Sequence, residues 1–135
     1  MPARATTPND THRLWTEAFQ RGDLDGLVAL YEEDAAFLAE PGAAPITGKG
    51  PIRDALTAFL SIGASFDIER TETVEGPDLA LVYSRWTLKG GSDADGNPVD
   101  VAGETTDVVR RQADGGWLFA VDNPWGLVGV GLGPG

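Results

Sequence analysis

A chain of 135 residues with 41% hydrophobic content reads as one domain able to bury a core, which excludes disorder as the starting point. A formal net charge of −11 repels phosphate backbones and anionic lipid, setting nucleic-acid and membrane-surface roles aside. The absence of cysteine removes disulfides, a thiolate nucleophile and sulfur-ligated zinc, and a single histidine precludes a cluster of imidazole ligands. No apolar run has transmembrane length and no signal-peptide h-region follows the N-terminal arginine, so a cytoplasmic protein with no membrane partner is the expectation.

Residues 1–7 read as a loose lead-in. Thr7-Pro8 reads as an N-cap with proline at the first helical position, and a helix is predicted over 8–21, stopped by Gly22. Leu14, Trp15, Ala18 and Phe19 share its apolar face. His12 stands in its first turn among polar neighbours and reads as exposed. Residues 22–35, GDLDGLVALYEEDA, predict a second short amphipathic helix. Asp23 caps it, Leu24, Leu27, Val28 and Tyr31 form its stripe, and Asp34 closes it. A helix this short is marginal alone, so its stripe must pack against the rest of the chain. Residues 35–40 predict a strand ending at Pro41-Gly42, and the Gly- and Pro-rich segment 41–50 a loop. A third helix is predicted over 51–61, with Ile52, Leu56, Phe59 and Leu60 on its buried side.

The second half changes period. Phe66, Ile68 and Val74 alternate with polar residues, predicting a strand with one wet face. Residues 79–88 are apolar on both parities near their start, predicting a central strand covered on both sides. Strands over 99–112 and 117–123 follow, joined by the Asp114-Gly115-Gly116 turn. The Gly-rich tail 126–135 adds an edge ribbon or hangs loose. Helices first and hairpin-linked strands after predict an α+β domain: a curved antiparallel sheet wrapped around three N-terminal helices, a cone with an apolar hollow, its core over about 8–125. A partly apolar second sheet face favours a homodimer.

Several runs resemble a known family. They are the 22–35 stretch with Trp15 seven residues before its glycine, the Gly48 to Arg53 helix start, and Asp107-Val108-Val109-Arg110 followed by Asp114-Gly115-Gly116-Trp117. Together they resemble the nuclear-transport-factor-2-like superfamily, in its SnoaL-like and ketosteroid-isomerase-like branches, over about 10–125. The resemblance implies a cystatin-like fold with an apolar pocket inside the cone and frequent dimers. The isomerase branch uses a helix-one tyrosine, a carboxylate base after the first strand and a protonated aspartate. Trp15 stands where the tyrosine would be, Glu40-Pro41 resembles the base motif one residue late, and Asp107 matches the second aspartate. One position of three is kept, one replaced and one out of register. The cyclase and epoxide-hydrolase branches imply an acid on the final strand, where Asp122 lies.

The candidate catalytic residues are therefore Asp107, Glu40 and Asp122, and the candidate ligand-binding residues Trp15, Phe19, Tyr83 and Trp86. Each has a plainer alternative. Trp15 and Trp86 on apolar faces also suit a core, Glu40 beside Pro-Gly also suits a solvated loop edge, and Asp122 before Asn-Pro also suits a strand end. Asp107 inside a strand needs a reason, either a pocket role or a pair with an arginine such as Arg85 or Arg110. Asp93-x-Asp95-x-Asn97 with Glu104 imitates a calcium loop, but Pro98 and flanking strands argue against it, so no metal is expected. Gly129-x-Gly131-x-Gly133 is not a dinucleotide fingerprint, because no helix follows. The expected function is binding of a small apolar molecule, with cofactor-independent acid–base isomerase, cyclase or dehydratase chemistry on a cyclic substrate if the protein is an enzyme. The alternative is a non-catalytic ligand-binding or dimerisation module.

Overall fold

Helix α1 (Pro8–Arg21) and the short α2 (Leu24–Val28) lead into strand β1 (Tyr31–Phe37), the two-residue β2 (Ile46–Thr47) and helix α3 (Lys49–Ser61) in the computed structural model, which describes residues 4–129. Strands β3 (Ser65–Glu75), β4 (Leu79–Gly90), β5 (Val99–Arg111) and β6 (Trp117–Asp122) follow, and the helical turn α4 (Gly126–Gly129) closes the described chain. Residues 130–135, most of the Gly-rich tail, lie outside the described residues. The six strands form one open sheet in the order β2-β1-β6-β5-β4-β3. All pairings are antiparallel except β1 with β6, which is parallel. The sheet is thus mixed, and the expected α+β architecture of helices against a curved sheet holds. No helix among the described residues is long and apolar enough to cross a membrane.

Gly22 ends α1 in the left-handed conformation its lack of a Cβ allows, at φ 67°, and its N–H reaches back to Ala18 and Phe19 carbonyls. Asp23 caps α2 as expected, accepting from the Gly26 N–H at 2.9 Å. The second helix, however, spans five residues and not fourteen. Tyr31 leaves the helical stripe to start β1, because Tyr31, Ala35 and Phe37 bury there against β6, and sheet pairing overrides the local period. Within the described part of the lead-in, from residue 4 on, the chain is tied rather than loose: Ala5 is buried and bridges Trp117.

In β3 the expected alternation breaks at a bulge between Ile68 and Arg70. A bulge reverses which parity faces inward. Phe66 and Ile68 face the helices, but beyond the bulge Thr71 turns inward and Val74 turns out, 61% exposed. In β4, Ala80, Val82, Ser84, Trp86 and Leu88 form the buried face. Its other face is not covered: Leu79 and Tyr83 are exposed, contrary to the expectation of a strand buried on both sides.

Candidate functional site

Helix α1 presents His12, Trp15 and Phe19 at i, i+3 and i+7, so all three share the face turned to the concave side of the sheet. With Phe37, Phe59, Phe66, Trp86, Phe119 and Trp125 they line a cavity of about 400 Å³. Four carboxyl groups also line it: Asp107 and Asp122, both buried, and Asp93 and Asp100, both exposed.

The buried polar groups form one string. The Thr71 hydroxyl lies 2.9 Å from Ser84 Oγ. Ser84 Oγ hydrogen-bonds His12 Nδ1, and His12 Nε2 lies 2.6 Å from Asp107 Oδ2. Asp107 also accepts from the Thr105 hydroxyl at 2.9 Å and from the Asn123 N–H at 2.7 Å, and it shares a hydrogen bond with Asp122. Tyr31 donates to Asp122 Oδ2 at 2.5 Å, and Trp15 Nε1 donates to the Tyr31 oxygen at 3.0 Å. The β5 and β6 strands bring the two aspartates together, with the bulge between Val108 and Val109 resetting the pairing beside them.

Burial governs how this string holds its protons. It lowers His12 to about 4, so the imidazole is neutral at neutral pH. It raises Asp107 to about 6, against hydrogen bonds from Asp122, Thr105 and Asn123 that favour the anion. Asp122 is raised well above the usual carboxyl range, by burial first and the Asp107 charge second. Two adjacent carboxyls do not both ionise in so dry a place. Asp107, with the most donors, is the anion; Asp122 keeps the proton and donates it to Asp107. Tyr31 is held protonated by burial and by Asp122. In this state Nε2–H of His12 donates to Asp107 and Nδ1 accepts from Ser84.

Ser84, His12 and Asp107 are the residue types of a nucleophile, base and acid, but Ser84 is 4% exposed and is not among the residues lining the cavity. Its hydroxyl fixes the imidazole; it has no path to a ligand.

Of the candidates read from sequence, Asp107, Asp122, Trp15, Phe19 and Trp86 meet at this cavity. Glu40 does not. It is exposed in the loop after β1 and is not part of the lining. Tyr83 sits on the outer face of β4 at 38% exposure, because the residues that face inward are its neighbours Val82 and Ser84. The arginine partners expected for Asp107 are elsewhere: Arg85 lies 3.5 Å from Glu104 and Arg110 3.1 Å from Glu32, both on the surface. His12, read as exposed, is 4% exposed, and its spacing with Trp15 and Phe19 was the signal that placed it inside. Ser84, Tyr31, Thr105 and the Asn123 backbone were also missed as members of the string; only register and the β3 bulge bring them together. Asp93 Oδ1 accepts from the N–H groups of Asp95 and Asn97, each at 2.9 Å, so the calcium-like run makes a turn. Among the described residues no three carboxylate or imidazole groups have the arrangement of a metal site.

The sequence profile of the SnoaL-like domain matches residues 12–119. One similar solved structure is a nuclear-transport-factor-2-like protein with a cystatin-like fold from Novosphingobium aromaticivorans, at 17% identity and TM-score 0.68, covering 84% of this chain and 75% of that one. Another is a candidate dehydratase of the nuclear-transport-factor-2-like family from Streptomyces avermitilis, at 20% identity and TM-score 0.68, with 83% and 87% covered. A third is a candidate ketosteroid isomerase from Shewanella frigidimarina, at 17% identity and TM-score 0.68, with 84% and 90% covered. At these identities the likeness speaks to fold alone. No curated protein matches the chain. The profile spans most of the sequence, and the helices, curved sheet and apolar hollow agree with it: the chain belongs to the SnoaL-like domain family.

Proposed function

We propose that this protein binds an apolar, cyclic small molecule and moves a proton on it with Asp107 and Asp122, without a cofactor, in an isomerase, dehydratase or cyclase type of reaction. The observation that carries this reading is the pair itself: two aspartates on neighbouring strands, both buried, at the inner, largely aromatic part of the cavity, where burial raises both carboxyls and Asp122 the more. Asp122 donates to Asp107 in the resting state. When it turns that proton to a ligand carbonyl oxygen, it frees a lone pair on Asp107, so acid and base become available together. Asp107 then takes a proton from the carbon next to the carbonyl while Asp122 protonates the developing oxyanion. Return of the Asp122 proton from the enol oxygen, and of the Asp107 proton to another carbon, restores the pair and completes an isomerisation. His12, Thr105 and the Asn123 N–H hold Asp107 in position throughout. The reaction class is drawn by analogy from two neighbours of the same fold, described as a candidate ketosteroid isomerase and a candidate dehydratase.

The test is washout of α-deuterium from 2-tetralone, followed by NMR, with binding followed separately through the fluorescence of Trp15, Trp86 and Trp125. The expected result is exchange faster than in buffer, lost by about 100-fold or more in Asp107→Asn and Asp122→Asn. Bound tetralone that exchanges no faster than in buffer would contradict the catalytic reading and leave the binding one.

That second reading, a cavity that binds without turnover, is favoured by one observation. Among the described residues every buried side-chain polar atom has a hydrogen-bond partner, so the string is complete without a ligand.

We also propose that two copies pair through the outer face of the sheet. Val74, Leu81, Val108 and Val121 lie in register across β3, β4, β5 and β6, a row of apolar side chains on the face away from the helices. Light scattering behind size-exclusion chromatography should give a dimer, and Leu81→Lys with Val108→Lys a monomer; a monomeric parent protein would refute this.

A further inference from the structure

We propose that the ligand of this cavity is a hydrophobic cation: a ring system carrying a protonated amine, with the ring against the aromatic walls and the ammonium at the mouth. The inference rests on the reading that the cavity binds a small apolar molecule, and it adds the charge of that molecule.

It follows from counting what the walls can still offer. Besides the acid proton of Asp122, which Asp107 accepts in the resting state, five lining side chains carry N–H or hydroxyl donors, and all five are committed. Trp15 Nε1 donates to Tyr31 at 3.0 Å, Trp86 Nε1 to the Pro124 carbonyl at 2.7 Å, and Trp125 Nε1 to the Ala39 carbonyl at 3.4 Å. His12 and Thr105 both donate to Asp107. Among the described residues no lysine or arginine lines the cavity. An anionic ligand would therefore meet no free side-chain donor and would lie near the Asp107 charge.

The groups with capacity left are of the opposite kind. Asp93 and Asp100, from the β4–β5 loop and the start of β5, are the exposed carboxyls of the lining and mark its open end. Neither is paired with a lysine or arginine among the described residues. With their N–H groups turned to carbonyls, Trp86 and Trp125 offer the cavity π-surface; their rings stand edge to face at 5.3 Å. Ring faces attract a cation and repel an anion. The net charge of −11 adds a field that concentrates cations around the whole molecule. Carboxylates at the rim, π-surface within and donors already used up together select a positive, donor-rich head on an apolar body.

The test uses three near-isosteric probes: 1-adamantanamine, 1-adamantanol and 1-adamantanecarboxylate, titrated calorimetrically at pH 7 and low salt. The amine should bind tightest and the carboxylate weakest, with about tenfold or more between them. The double variant Asp93→Asn/Asp100→Asn should lower amine affinity by about fivefold and leave the alcohol unchanged, and added salt should act likewise. An asparagine oxygen can still accept the two N–H bonds of the Asp93 turn, and circular dichroism verifies the fold. Alcohol or carboxylate binding as tight as the amine overturns the proposal while leaving the cavity reading intact. An amine preference untouched by the double variant and by salt overturns the role of the rim. Failure of all three probes to bind overturns both readings.

Discussion

Replacing His12 with alanine removes the one imidazole in the chain from the centre of the buried string. At pH 7 the loss includes a hydrogen bond to an ionised Asp107, worth about 1.5–3 kcal/mol, and leaves the Ser84 hydroxyl without its acceptor. The stack of His12 on Phe119, with centroids 5.7 Å apart, also goes. A total of about 3 kcal/mol corresponds to about 10 °C in Tm for a domain of this size. The pH dependence is the sharper signature. The folded protein holds His12 at about 4 against an ordinary value of 6.5, so the unfolded chain takes up that proton first, and the parent loses stability as pH falls from 6.5 towards 4. At about 1.4 kcal/mol per pH unit, this loss reaches about 2 kcal/mol by pH 5. Asp107 has the opposite sign. Raised from 3.8 to about 6, it costs stability as pH rises through that window and returns it on acidification. In His12→Ala only the carboxyl contributions remain, so the gap between parent and variant should shrink by about 2 kcal/mol between pH 7 and pH 5. Urea unfolding followed by tryptophan fluorescence at the two pH values measures it. A gap that stays constant would refute the claim that His12 is buried in its neutral form.

Tyr31→Phe strips the donor to Asp122 and the acceptor of the Trp15 N–H; it should cost about 1–3 kcal/mol in urea unfolding and push Asp122 still higher in a carbon-13 titration. Gly103→Ala places a Cβ 2.7 Å from the Trp86 ring and 3.0 Å from the Pro124 carbonyl. The indole must shift towards the cavity, which should cost about 1–3 kcal/mol and weaken binding of an apolar probe measured by calorimetry. Glu40→Gln, at an exposed loop position, should change stability by under about 0.5 kcal/mol and leave tetralone exchange unaltered.

Much of the fold was legible because its signals are local. The apolar strand runs of β3 to β6 with the turns between them, the glycine after α1 and the Asp23 cap each depend on near neighbours. What was misread depends on distant ones. Tyr31 fits a helical stripe with Leu27 and Val28, and only the parallel pairing of β1 with β6 shows that it starts a strand. The β3 bulge is invisible in the sequence, yet it decides that Thr71 faces Ser84 and Val74 faces out. In the site, Asp107 stood out because a strand interior disfavours aspartate. His12 was lost to its polar neighbours, although its spacing to Trp15 and Phe19 was plain. Glu40 was a candidate only through its resemblance to a motif; its place in a loop after β1 leaves it in solvent, as the solvated loop-edge alternative had it.

The central claim is that one proton is divided unequally between two buried neighbours. Carbon-13 NMR of the aspartate carboxyls across pH 4 to 8 tests it directly. The account predicts that Asp107 titrates near 6 and that Asp122 is still protonated where Asp107 has ionised. Both carboxyls titrating together near the ordinary 3.8 would contradict it.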